Sequence, residues 1–264
     1  MVGSAPGAAP GVLQHGPVEL LRASLSIAGI IEPVAEAGGG GPRALIAWAA
    51  GLGYRAVQLD ATMPGLRARE LDRSGRRDVA ALLRRLELGL SGLDLWIPES
   101  HFVDAAHQDR AAAAVVGALD LSADLARLTE GAPVVSVLLP EKTPATLVAT
   151  LAREADRLGA VLADHGSGEW QGVGRGVDPA AVLAGSGDPA LVVARLPAFP
   201  AAARLSDFSG GVRVALGRGK LDLVAYGAAL SAKGFTGFCP VDLRSVRGQA
   251  SAAAEGLAAV RRAG

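Results

Sequence analysis

Short apolar segments alternate with Ala-, Leu- and Arg-rich helical stretches about eight times between Leu25 and Arg262. The apolar segments centre on Leu25-Ser26-Ile27, Ala56 to Leu59, Leu93 to Trp96, Val134 to Val137, Ala160 to Ala163, Gly172-Val173-Gly174, Ala203-Arg204-Leu205 and Phe238 to Val241. Each is too short for a helix and is bounded by turn residues. Strands that alternate with helices build βαβ units and a parallel sheet. Eight such units predict a closed (β/α)8 barrel, in which the chemistry sits on the loops just past the strand ends.

The length of 264 residues suits one such barrel, since a barrel takes roughly 250 residues. Residues 1–20 read as a flexible tail, and 21–264 as the barrel. The lead-in Met1 to Pro17 has neither a basic segment nor a continuous apolar one, so it does not read as a secretion signal. The single cysteine, Cys239, falls inside the last strand as a small buried apolar residue, and a lone cysteine fits a reducing cytoplasm. No apolar run is long enough to span a membrane. A formal net charge of zero without a basic patch argues against nucleic acid as a partner.

The helices follow the same spacing. Arg43 to Leu52, Arg76 to Leu88, His107 to Leu128, the stretch opened by Thr143-Pro144, Pro179 to Leu196, Leu221 to Lys233 and Gln249 to Arg262 are predicted helical. The run Gly38-Gly39-Gly40-Gly41-Pro42 reads as a loop; no Lys-Ser/Thr follows it to make a phosphate cradle. Only Gly166 to Gln171 separates strands five and six, too little for a helix, so either helix five is missing or degenerate or one of these two segments is not a barrel strand.

Polar residues near strand ends make the candidate list: Gln58, Asp60, Asp94, Glu99, His101, Glu141, Asp164, His165, Glu169, Asp178, Arg204, Asp207, Arg213 and Asp242. A divalent cation at a barrel mouth needs oxygen or imidazole ligands converging from several strands. Asp164, Asp178 and Asp242 are placed to converge in this way. Asp178, standing before Pro179, also reads as a helix N-cap.

The chain resembles the sugar phosphate isomerase/epimerase group of xylose isomerase-like barrels. The likeness runs from about Leu25 to Ala259. It lies in Ala47-Trp48-Ala49-Ala50-Gly51-Leu52-Gly53-Tyr54-Arg55-Ala56-Val57-Gln58-Leu59, in Ala203-Arg204-Leu205-Ser206-Asp207 followed by Gly217-Arg218-Gly219-Lys220-Leu221-Asp222, and in Gly234 to Phe238 leading to Val241-Asp242-Leu243. The resemblance implies an isomerase or epimerase of a sugar or sugar phosphate, working by proton transfer next to a carbonyl with one divalent metal, Mn or Mg. Family members bind that metal through a glutamate after strand five, an aspartate after strand six, a histidine in strand seven and a glutamate after strand eight, and the two glutamates move the protons.

Carried over, Asp164 stands for the first glutamate, Asp178 matches the aspartate, Arg204 takes the histidine position and Asp242 replaces the last glutamate. Asp164 and Asp242 thereby become the catalytic candidates, and Arg204, Arg213, His101 and His165 the substrate-binding ones. A guanidinium cannot ligate a metal. A divalent ion about 4 Å from it is repelled by roughly 8 kcal/mol at an effective dielectric near 20. Arg204 is therefore expected to pair with Asp164 or Asp242 and to weaken the metal site. Two readings stay open: an altered isomerase, and a non-catalytic or repurposed barrel that binds a sugar-like ligand without metal. The family's distant relatives among apurinic endonucleases need a histidine-rich multi-metal cluster that His15, His101, His107 and His165 do not supply.

Overall fold

In a computed structural model, residues 21–31 and 41–264 are described; the expected tail, residues 1–20, lies outside them, as do Gly38, Gly39 and Gly40. Eight parallel strands form the barrel: β1 (Arg22–Ser26), β2 (Ala56–Asp60), β3 (Gly89–Asp94), β4 (Val134–Val137), β5 (Val161–Asp164), β6 (Gly174–Val177), β7 (Ala202–Ala203) and, after an antiparallel hairpin of β8 (Asp207–Ser209) and β9 (Val212–Val214), β10 (Phe238–Val241). β1 pairs with β2 on one side and with β10 on the other. Closure comes two residues beyond β7: Leu205 bridges Val241, with Leu205 N–H donating to Pro240 O at 2.8 Å and Asp242 N–H to Leu205 O at 2.9 Å. β3 carries a bulge opposite the Val57/Gln58 step, after which Asp94 sits level with Asp60 on one side and Ser136 on the other.

The helices are α1 (Pro42–Gly51), α2 (Arg73–Arg85), α3 (Ser100–Val103), α4 (Ala105–Thr129), α5 (Ala145–Leu158), α6 (Pro179–Ala184), α7 (Pro189–Arg195), α8 (Leu223–Ala232) and α9 (Gln249–Ala263). Their ends follow local chemistry. Asp72, Asp104, Asp188 and Asp222 cap α2, α4, α7 and α8 by accepting backbone N–H bonds. Gly159, in the left-handed conformation, ends α5. Residues 179–196 are two helices rather than the one expected, because Asp188 and Pro189 start a new N-terminus after the Gly185 to Gly187 turn. No helix lies between β5 and β6.

Leucine, valine and alanine side chains of the strands pack outward on the helices as one continuous core, reaching from Leu21 to Val260. α9 packs closely on β10: a Cβ on Gly256 would lie 2.9 Å from Val241. Gln249, buried at the start of α9, donates to the carbonyls of Gly29 and Leu243 and accepts from Ile31 N–H, fastening the loops after β1 and β10. Cys239 is buried and free, and burial pushes its thiol up to about 12. Among the described residues, no helix is long and apolar enough to cross a membrane.

Candidate ligand site at the barrel mouth

Strand alternation turns every second residue toward the barrel interior, and in this chain many of the buried residues at and near the strand ends are polar. Gln58, Asp94, Ser136, His165, Asp178, Arg204, Ser206 and Asp242 are all buried on the barrel strands or just past them. Such groups are tolerated only when paired.

The pairing takes the form of a closed ring in which three aspartates alternate with three arginines. Arg204, one residue past β7, donates to Asp94 Oδ2 at 2.6 Å and to Asp178 Oδ2 at 3.2 Å, and its Nε lies 3.8 Å from Asp242 Oδ2. Arg213, on β9, donates to Asp178 Oδ2 at 2.5 Å and to Asp242 Oδ2 at 3.3 Å. Arg244, in the loop after β10, donates to Asp242 Oδ2 at 2.6 Å and to Asp94 Oδ1 at 3.1 Å. Ser206 Oγ adds a 2.6 Å bond to Asp178 Oδ1. Asp178 starts α6 without a side-chain capping bond; its oxygens are spent on the ring and on Ser206 instead.

The ring is not uniform electrically. At Asp178 burial opposes ionisation, yet Arg204 and Arg213 hold the carboxyl far below the usual aspartate range. Asp242 is lowered against the same burial by Arg244, Arg204 and Arg213. At Asp94 burial wins: its carboxyl is raised in spite of Arg204 and Arg244. The side chains differ in exposure too, from 1–6 % for the three aspartates and 8 % for Arg204 to 22 % for Arg213 and 21 % for Arg244.

Arg213 reaches the ring because its hairpin is pinned. The buried Asp207 carboxylate accepts four backbone N–H groups, from Phe208, Gly217, Gly219 and Leu221, at 2.8 to 3.0 Å. The turn comes so close that a Cβ on Gly219 would lie 2.2 Å from Asp207 Oδ1.

The other sequence candidates are placed as follows. Asp164 stands apart from the ring. Its Oδ1 accepts Leu139 N–H and Gly166 N–H, both at 2.9 Å, and its Oδ2 accepts Trp170 Nε1–H at 3.1 Å. It closes the loop that replaces helix five, and burial raises its carboxyl against those bonds. The ion pairs of Arg204 run to Asp94, Asp178 and Asp242, so of the two partners expected for it only Asp242 is one. His165 packs against Gly176, where a Cβ would lie 2.7 Å from the imidazole, and its Nε2 lies 3.1 Å from Ser136 Oγ. Burial, and then the nearby Arg204, drive its basicity well down, so it is neutral. His101 sits on α3 at the rim, its ring 4.6 Å from that of His107. Glu99 and Glu141 line a separate groove of about 710 Å³ between the loops after β3, β4 and β5. Glu169 is exposed.

Two ring members carried no site assignment at the level of sequence. Asp94 is a strand-end residue that matches no family position. Arg244 is not among the strand-end candidates; its signal is its position two residues after Asp242, within reach of the same carboxylate.

A divalent metal does not suit this arrangement. Among the described residues, no group of three or more His, Cys, Asp or Glu side chains is set to hold one. Asp94 and Asp178 each pair with two guanidinium groups and Asp242 with three. The position that the family resemblance gives to a ligating imidazole holds Arg204, bonded on both sides.

No protein-family model matches the chain, and no curated protein matches it either. Solved structures do. A xylose isomerase domain protein from Planctomyces limnophilus superposes with a TM-score of 0.64 at 17 % identity, over 92 % of this chain and 95 % of that one. A D-psicose 3-epimerase, solved in the presence of D-fructose, gives 0.67 at 12 % identity over 92 % and 100 %. A probable 3-DHS dehydratase from Bacillus anthracis gives 0.65 at 9 % over 91 % and 99 %. At these identities the likeness is one of fold. The chain has the xylose isomerase-like (β/α)8 architecture, with the loop ends of β3, β6, β7 and β10 joined by an arginine–aspartate ring.

Proposed function

We propose that this protein is a xylose isomerase-like barrel that binds a sugar-like ligand at its mouth without a divalent metal. The observation that carries this reading is Arg204 at the position of the family histidine, bonded to Asp94 and Asp178 and 3.8 Å from Asp242. A guanidinium there supplies a fixed positive charge that needs no loading and cannot be deprotonated.

The same pairing speaks against proton transfer next to a carbonyl. A general base needs an accessible lone pair within hydrogen-bond reach of the substrate proton and a basicity near the working pH. Asp242 and Asp178 are ionised, saturated by arginine and of depressed basicity. Asp164 is held by backbone N–H groups and Trp170. The neutral His165 is buried under the ring with its Nε2 against Ser136. What remains is recognition: guanidinium groups fixed at the mouth donate to hydroxyl or anionic oxygens, and the carboxylates beneath hold them in place.

Calorimetric titration of the purified chain with MnCl2, alone and with D-fructose, tests the reading. Native protein is expected to show no stoichiometric Mn²⁺ binding, and Arg204→His to show more than the native chain. Tight one-to-one Mn²⁺ binding by the native protein together with epimerisation of the sugar overturns it.

A further inference from the structure

We infer that the mouth ring selects an organic anion, a hydroxylated compound ending in a carboxylate or phosphate, and that Arg213 and Arg244 grip its charged end. The inference rests on the metal-free binding reading above and names the ligand class of that site.

A ring of three aspartates and three arginines is neutral in sum, but its two faces are not alike. The aspartates are 1–6 % exposed, whereas Arg213 and Arg244 keep about a fifth of their side chains in contact with solvent. A solute arriving at the mouth therefore meets positive charge first. Both guanidinium groups bond the same atom, Asp242 Oδ2, so they flank one spot.

Donor counting points the same way. A guanidinium has five N–H donors. Among the described residues, Arg213 uses one on each Nη, leaving Nε and two further hydrogens. Arg244 uses Nε and one hydrogen on each Nη, leaving two. Arg204, deeper in, bonds Asp178 and Asp94 through one hydrogen on each Nη, and its buried Nε stands 3.8 Å from Asp242 without a hydrogen-bond partner among the described residues. With Arg204 only 8 % exposed, the spare donors that solvent reaches belong to Arg213 and Arg244. Planar N–H pairs match the oxygen pairs of carboxylate and phosphate. The anion adds to the ring without displacing an aspartate, so the scaffold is already organised when the ligand arrives.

The backbone around the spot is fixed as well. Arg213 lies on a hairpin anchored by Asp207, and Arg244 N–H donates to Asp242 Oδ1 at 3.0 Å. Neither arginine has to be ordered by the ligand.

The test uses the native chain in EDTA, titrated calorimetrically with D-fructose 6-phosphate, D-gluconate and D-fructose. The expected result is that at least one anion binds about tenfold or more tightly than fructose, as charge-assisted bonds are the strong ones. The phosphate-to-gluconate ratio tells which head group is preferred. Arg213→Gln and Arg244→Gln should each weaken anion binding about tenfold and fructose binding by less, so that the anion-to-fructose ratio falls, and Arg213→Lys, which keeps the charge but not the planar N–H pair, should recover only part of the loss. Circular dichroism confirms that each variant is folded; the native selectivity needs no variant. Fructose binding as tightly as its phosphate overturns the anion class and leaves the metal-free binding reading standing. Absence of binding by all three compounds overturns both. Tight Mn²⁺ binding with epimerisation of the sugar, in the separate titration without EDTA, overturns the parent reading and this inference with it.

Discussion

Arg213 and Arg244 reach the same oxygen of Asp242 from two separate segments, one from a hairpin inserted after β7 and one from the loop after β10, at 3.3 and 2.6 Å. One aspartate thus holds together two segments that no sheet hydrogen bond connects. Its substitution should be felt in both.

Removing the central guanidinium should be costly. Arg204→Met leaves Asp94 and Asp178 buried with one partner fewer. Breaking a buried pair from one side typically costs about 3–5 kcal/mol. Urea denaturation is expected to show a loss of that order, and the double variant Arg204→Met with Asp94→Asn should lose less than the sum of the singles. Additive losses would mean that the two side chains do not interact.

Gly176 has no room for a side chain. A Cβ there would lie 2.7 Å from the His165 ring. Gly176→Ala should push the imidazole off Ser136 and destabilise by about 1–3 kcal/mol, the usual cost of overpacking. His165→Ala in the same chain should restore part of the loss, read from the thermal midpoint; no restoration would place the strain elsewhere.

Acid should weaken the fold through Asp178 and Asp242. Their native carboxyls ionise below the ordinary value, whereas in the unfolded chain they take up protons near about pH 3.9. Below that pH the unfolded state binds more protons, so stability is present above it and falls as pH falls. Asp94 works in the opposite sense. Its raised carboxyl binds its proton first in the native state, so between about pH 3.9 and its native value stability rises as pH drops. Thermal midpoints measured from pH 7 to 2 should therefore fall steeply only below about pH 4, and Asp94→Asn should reduce the preceding rise, leaving the share of Asp164, whose carboxyl burial also raises.

Unpinning the hairpin should expose Arg213. Asp207→Ala strands four backbone N–H groups that the carboxylate now accepts. Trypsin should then cut after Arg213 several-fold faster while the barrel stays folded, and anion binding should weaken alongside. Unchanged cleavage would show that Asp207 does not govern the hairpin.

Much of this fold was legible because period-2 and period-3.6 patterns announce strands and helices wherever their residues are apolar. The eight barrel strands and the gap at helix five came out of that signal. The hairpin of Asp207–Ser209 and Val212–Val214 did not, since it is short, polar and held by a carboxylate rather than by burial of an apolar face. The site was legible in part. Strand-end position and family likeness pointed to Asp178, Arg204, Arg213 and Asp242, which the ring brings together. They also pointed to Asp164, whose bonds go to backbone and to Trp170; position at a strand end does not tell which way a side chain is committed. Asp94 joins the ring through contacts across 110 and 150 residues, which no local pattern can register, whereas Arg244 also bonds Asp242 only two residues back.

That separation along the chain bears on how the barrel could be divided. A cut in the loop between β5 and β6 would leave Asp94 on the first fragment, and Arg204, Arg213 and Arg244 with Asp178 and Asp242 on the second. The first half would carry an unanswered negative charge at its rim and the second an unanswered positive one. Each half would hold the counter-charge of the other, so the ring also acts as a registration mark that only a correctly joined pair of half-barrels can satisfy.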